Sequence, residues 1–302
     1  MTQSTQRRLE GRTAIVTGAS RGLGKSIALA LAAEGAAVAV AARTEQVWDE
    51  RLPGTIGDTV GAITDAGGRA VAIRADLLEP GDTIRLVAQA REALGPITIL
   101  VNNAAFTAAG RPPKPGMDAP VKKAPPKAAP SGNASSDGRV AWPDFVGTPV
   151  GAYRRHFDIA VFAAYELMQL VVPDMETVGV GSIVNITSGA SRMPGEGPYP
   201  HSDGGMLPGY GGSKAALEHL TMCAAYDLTD RNIAVNALSP SKAIMTPGVA
   251  YYARDFDDYG SEEDFAEATV RLAAIDPLVV NGRILGHLDV IDGSFRTYSI
   301  NS

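Results

Sequence analysis

A single cysteine, Cys223, leaves the chain without a partner for an intramolecular disulfide and suits a reducing compartment. It falls in an apolar helical stretch, where it reads as a small core residue. Basic excess is also missing. Lysine and arginine total 27 against 33 aspartate and glutamate, a formal net charge of −6, which argues against a nucleic-acid partner. No run of 18 apolar residues occurs, so no membrane span is expected. The N-terminal MTQSTQRRLEGR has no apolar core of a signal peptide, which points to a cytoplasmic protein. The four histidines, His156, His201, His219 and His287, show no metal-ligand spacing, and no metal is expected.

What is present is an alternation of short apolar runs and amphipathic stretches in 302 residues, ample for one domain. Strands are predicted at 13–17, 36–41, 70–75, 97–101, 182–187, 233–238 and near 283–290. Helices are predicted at 23–34, before Gly67-Gly68, at 80–94, 153–172 and 210–229, and after Ser261, where Asp264 completes a capping-box pattern. Buried strands separated by helices imply an α/β fold. The expectation is a single doubly wound domain of the Rossmann type, with about seven parallel strands and helices on both faces.

Three stretches break the pattern. Residues 106–148 hold a Pro/Ala/Lys-rich segment with seven of the chain's twenty prolines between Pro112 and Pro130, expected to be a solvated insertion rather than a flap. Residues 192–209 are rich in glycine and proline. In the third, 241–260, Tyr251, Tyr252, Phe256 and Tyr259 alternate with Asp255, Asp257 and Asp258, a composition that fits a substrate lid or equally a packed loop. Trp48 and Trp142 fit either a cofactor contact or surface packing.

Between the first strand and first helix lies Thr17-Gly18-Ala19-Ser20-Arg21-Gly22-Leu23-Gly24. Glycines there permit a tight turn and bring backbone N–H groups to a pyrophosphate at the helix N-terminus. Gly24-Lys25-Ser26 lacks the earlier glycine of an NTPase phosphate loop, since position 19 is alanine. Gly18-Ala19-Ser20-Arg21-Gly22 also satisfies the Gly-x-Ser-x-Gly hydrolase pattern, but follows the first strand rather than a later one. Tyr210 and Lys214 are four apart on one predicted helix, hence on one face. An ammonium near a phenol favours the phenolate and lowers its pKa from about 10. The second strand ends at Ala42-Arg43, with no acid to accept from a ribose 2′-hydroxyl. Arg43 and Arg21 can instead flank a 2′-phosphate, which selects NADP(H) over NAD(H).

Taken together these segments resemble the short-chain dehydrogenase/reductase family. TGASRGLG (17–24) is similar to its cofactor turn, Asp76 to its adenine contact, and Asn102-Asn103-Ala104-Ala105 to its Asn-Asn-Ala-Gly segment. Ser188 at the end of IVNITS matches the catalytic serine. Tyr210-Gly-Gly-Ser-Lys214 matches the Tyr-x-x-x-Lys pair, and NALSP (236–240) the segment over the nicotinamide. The resemblance implies hydride transfer between the cofactor and a ketone/aldehyde–alcohol pair. Tyr210 would be the general acid/base. Ser188 would polarise the substrate oxygen, and Lys214 would lower the tyrosine pKa and bind ribose. It places Gly18, Ser20, Arg21, Gly22, Leu23, Gly24, Arg43, Asp76, Leu77, Asn102, Asn103, Ala104, Tyr210, Lys214, Pro240 and Thr246 on the cofactor. It also implies a homodimer or homotetramer through the helices near 153–173 and 210–230, with Ala163, Ala164, Ala215, Ala216, Ala224 and Ala225 allowing close approach.

Departures accompany the match. Ala160 stands where the family usually has a relay asparagine, Ser241 where glycine is usual, and Ser188 and Tyr210 are 22 positions apart. Ala160 and the proline-rich arm motivate an alternative, a nucleotide-binding regulatory protein with little turnover. A serine hydrolase is the remaining alternative.

Overall fold

The computed structural model describes residues 7–106, 145–200, 208–251 and 256–297. Most of the proline-rich segment, with Trp142, lies outside these residues, as do His201, Tyr252 and Asp255. Strands β1 (Thr13–Thr17), β2 (Ala37–Ala42), β3 (Arg69–Arg74), β4 (Ile99–Asn102), β5 (Gly181–Ile186), β6 (Ile233–Ser239) and β9 (Ile284–Gly286) form one parallel sheet in the order β3-β2-β1-β4-β5-β6-β9. Two-residue strands β7 (Ala243–Ile244) and β8 (Tyr259–Gly260) pair separately and tie together the ends of the 241–260 segment, which contains the one-turn helix α7 (Pro247–Ala250). This is the doubly wound architecture expected of the sequence.

The strands are apolar because both faces are covered, and alternate residues feed opposite cores. Ala14, Val16, Ile99, Val101, Val184 and Ile186 face the core built with helix α1 (Gly22–Ala33) and helix α8 (Glu262–Ala273). Ile15, Leu100, Ile183 and Val235 face the other, built with α3 (Asp82–Leu94) and α5 (Ala163–Val178). Helix α2 (Ile56–Asp65) starts on a capping box, Thr55 with Asp58. Ser261 caps α8 by accepting from the Asp264 N–H at 3.1 Å.

Three expectations change. The predicted 153–172 helix is longer and interrupted: α4 (Val150–Phe157) runs through a single i→i+5 turn, Asp158–Phe162, into α5. The last strand stops at Gly286, because its pairing with β6 ends at Ser239–Gly286; His287–Ile291 then forms α9. Cys223 is exposed rather than a core residue. It lies on the outward face of α6 (Pro208–Asp227), its sulfur 3.6 Å from His219 Nε2.

Candidate active site

The sheet order reverses between β1 and β4, and a crevice opens at their carboxyl ends. Thr17 and Asn103 stitch this point together. The Asn103 amide donates to the Thr17 carbonyl at 2.9 Å, and the backbone N–H groups of Asn103 and Ala104 both donate to Thr17 Oγ1 at 3.1 Å. A cavity of about 490 Å³ occupies the crevice. Its lining brings together every residue assigned above to cofactor or catalysis except Asn102. Asn102 is buried behind the wall, where its amide donates to Asn185 Oδ1 at 2.8 Å; it holds β4 to β5.

The glycine turn forms one end. Gly18 and Gly22 adopt positive φ, +67° and +51°, which favours glycine. A Cβ on Gly24 would stand 2.3 Å from the Gly18 carbonyl oxygen, so α1 can start this close to β1 only without a side chain there. The N-cap of α1, Arg21, gives no side-chain cap, so its first-turn N–H groups are left to a ligand or solvent. A Cβ on Gly22 would meet Thr246 at 3.3 Å, so the turn and the 241–260 segment approach closely. This cradle fits the pyrophosphate of a dinucleotide. Arg21 donates to Thr44 Oγ1 at 3.0 Å and to the Gly54 carbonyl at 3.3 Å, while its buried Nε has no partner. Burial, followed by repulsion from Arg43, lowers its pKa. Two guanidinium groups, with the buried Asp49 carboxylate acting on Arg21 in the opposite sense, therefore meet at the end of β2.

The other end holds Ser188, Tyr210 and Lys214. Ser188 follows β5 and caps a short turn, Gly189–Arg192. Of the chain between Ser188 and Tyr210, 201–207 lies outside the described residues; at its far end glycines permit close contact. A Cβ on Gly211 would stand 2.5 Å from the Ala190 carbonyl oxygen, and one on Gly209 2.7 Å from His156 Cδ2. Only an unsubstituted Gly209-Tyr210-Gly211 lets the first turn of α6 press between the Ser188 turn and α4. Lys214 is buried, donates to the Ile186 carbonyl at 2.6 Å and stands 5.7 Å from the Tyr210 ring centre. Burial pushes it down to about 8, against the opposing charge of Glu218.

Burial pushes the Tyr210 phenol up, and a hydrogen bond with Ser188 pulls the other way. The lowering expected from Lys214 does not appear: only the Ser188 hydrogen bond opposes burial, and the phenol stays protonated at neutral pH. His156, read in the sequence only as one of four scattered histidines, lies between Phe106 and Tyr210, with ring centres 5.2 and 6.0 Å away. Burial, then the Lys214 charge, pushes it down to about 4.

These features match a known family along most of the chain. The short chain dehydrogenase family model matches residues 12–120 and 143–255, passing over part of the proline-rich segment. The chain belongs to the short-chain dehydrogenase family. Among relatives of this dehydrogenase, the 7alpha-hydroxysteroid dehydrogenase of Escherichia coli K12 is 30% identical over 94% of this chain and 96% of its own. That of Clostridium sardiniense is 28% identical over 96% and 95%. A 7alpha-hydroxysteroid dehydrogenase solved with NADH and 7-oxo glycochenodeoxycholic acid superposes with a TM-score of 0.68, at 29% identity over 95% and 96%. A Beutenbergia cavernae structure with NADP at low occupancy gives 0.69, at 25% identity over 92% and 96%.

The 241–260 segment of this dehydrogenase is anchored more than its composition suggested. Tyr251 is buried against Trp48 and Leu52, with the Arg51 guanidinium 4.5 Å above its ring. Trp48, Leu52 and Phe256 line the cavity. Ser241, where glycine was expected, donates its N–H to His287 Nδ1 at 2.8 Å and accepts from the Leu288 N–H at 3.2 Å, which fastens the segment to α9. Phe106, Ile159 and Met193 complete an apolar wall that no motif marked. Among the described residues no cluster of His, Cys, Asp and Glu could hold a metal. No described helix is long and apolar enough to cross a membrane.

Proposed function

We propose that this protein is an NADP(H)-dependent carbonyl reductase or alcohol dehydrogenase acting on a bulky, largely apolar ketone/alcohol pair. The observation that carries the reading is that Ser188, Tyr210, Lys214 and the glycine turn open into one cavity with apolar walls. A bound nicotinamide would supply hydride in reduction and accept it in oxidation. Ser188 Oγ and Tyr210 Oη converge on the substrate oxygen, and Tyr210 Oη delivers the proton. Lys214 and Asn103 would border the nicotinamide, with Lys214 holding ribose; Asp76 and Leu77 would contact adenine, Pro240 and Thr246 would lie against the cofactor, and Arg21 and Arg43 would select the 2′-phosphate. The hydroxysteroid relatives make steroid ketones the first compounds to try.

The Ala160 departure leaves room for this chemistry. Ala160 lies in the i→i+5 turn, where the helical ladder loosens and a backbone carbonyl can serve a water in place of the missing side chain. The hydrolase reading finds no base among the described residues: His156 lies beside Tyr210, His219 beside Cys223 and His287 beside Ser241, and none of them is bonded to Ser20.

Competition kinetics with both cofactors on a ketone panel test the reading. NADPH oxidation is expected, with kcat/KM at least about tenfold above NADH, the effect of one well-made charge-assisted contact. An equal or better value with NADH would overturn the cofactor choice, and no turnover with any ketone would overturn the activity.

A further inference from the structure

Among the described residues, Glu218 is an acidic side chain buried beside the proposed catalytic groups, and no motif singled it out. It lies one helical turn beyond Lys214 and two beyond Tyr210, on the same face of α6. Its relative exposure is 7%. A carboxylate is costly to bury unless its lone pairs are used. Here Oε1 accepts from Thr187 Oγ1 and from Ser191 Oγ, both at 2.7 Å, and Arg192 Nε lies 4.0 Å from Oε2. Thr187 immediately precedes Ser188, and Ser191 closes the turn that begins there by donating its N–H to the Ser188 carbonyl at 2.9 Å. One carboxylate oxygen thus grips the chain on both sides of the serine.

We propose that Glu218 is a positioning residue for the reaction proposed above: its carboxylate fastens the Ser188 turn to the helix that carries Tyr210 and Lys214. A carboxylate only accepts, so both hydroxyls must donate to it and their hydrogens are fixed. The turn cannot slide along α6 without breaking two short bonds to a charged acceptor. Glu218 also supplies the negative charge that opposes the effect of burial on Lys214. The other groups facing that ammonium are Tyr210 on its own helix, His156 on α4 and the Ile186 carbonyl on β5.

The test compares the full-length wild type with Glu218→Gln and with Thr187→Val/Ser191→Ala, which keeps the carboxylate and removes its two donors. Folding is followed by circular dichroism and NADPH binding by fluorescence. Turnover is measured on the best ketone across pH, and the Lys214 titration by NMR of 13C-labelled lysine. Glu218→Gln is expected to keep NADPH affinity within about twofold and KM within about threefold while kcat falls about tenfold or more, the pattern of a misplaced reacting group. The Lys214 midpoint and the alkaline limb of the pH profile should both move to lower pH. The double variant should lose kcat to a similar extent, and combining it with Glu218→Gln should add little. A folded Glu218→Gln enzyme with wild-type kcat overturns the proposal, whether or not the lysine midpoint moves. If Glu218→Gln does not fold, wild-type kcat in the double variant overturns it instead. Should the wild type itself reduce no ketone, the proposed activity fails on its own. Amide exchange in the 188–192 turn then decides for Glu218: faster exchange in Glu218→Gln and in the double variant sustains the fastening, and unchanged exchange removes it.

Discussion

At the scale of single residues, burial sets the behaviour of the groups around the cavity more than any neighbouring charge. Tyr210 is pushed up, and Lys214 and His156 are pushed down, in each case chiefly by desolvation. The consequence for stability has a definite sign. His156 titrates near 4 when folded and near 6.5 when unfolded, so between those values the unfolded chain holds more protons and stability falls as pH falls. His287, also pushed down by burial, acts in the same direction. Lys214 has the same sign at higher pH: from about 8 to 10.5 the unfolded chain again binds more protons, and stability rises with pH. Melting curves between pH 6.5 and 4 should therefore show a shallower decline for His156→Gln than for wild type, reduced rather than abolished because His287 remains. Identical slopes would count against a buried, neutral His156. None of this could be seen in sequence, where a lone histidine four positions before Ala160 carries no signal. The Tyr-x-x-x-Lys spacing was legible, but the direction of the tyrosine shift was not, because spacing says nothing about desolvation.

At the scale of elements, glycines decide which helices may touch. Gly211 is the clearest case, since any side chain there would run into the Ala190 carbonyl. Gly211→Ala should push the first turn of α6 away from the Ser188 turn. It should cost about 1–3 kcal/mol of stability, as overpacking does, and lower kcat by roughly tenfold or more as Tyr210 moves from Ser188. Chemical denaturation and steady-state kinetics check both parts, and a fully active Gly211→Ala enzyme would contradict the close packing. Elements with strong patterns were readable: β1 is a wholly buried Thr-Ala-Ile-Val-Thr with an apolar centre, and α1 repeats Leu23, Ile27 and Leu31 every four residues. The last strand was overextended because Ile284-Leu285-Gly-His-Leu288-Asp-Val290-Ile291 suits both periods, and only the loss of a β6 partner after Ser239 ends it. The i→i+5 turn at Asp158–Phe162 has no sequence signature and was missed.

At the scale of the whole molecule, the alternation of strands and helices made the sheet and its switch point legible, and with them the place of the cavity. The apolar wall was not, because Phe106, Met193 and Phe256 come from three connecting segments that only the fold brings together. Assembly follows from the outer surface. Ala163, Ala164 and Ala225 are buried and not available to a partner, while Ala215 is exposed and Ala216 and Ala224 are half-buried. Phe162, Tyr165, Met222 and Tyr226 are exposed on the outer faces of the same helices, 63%, 49%, 43% and 84% accessible. Large side chains exposed on these helices favour association, so light scattering at micromolar concentration should give a homodimer or homotetramer; a monomer would contradict it. The central claim is that Tyr210 delivers the proton in an NADPH-dependent reduction. Its most direct test is NADPH turnover, followed at the reduced-nicotinamide absorbance band, by wild type and Tyr210→Phe on the best ketone. The account predicts a rate lower by roughly 10²–10⁴ in the variant with NADPH binding little changed. Equal rates in the two proteins would contradict it.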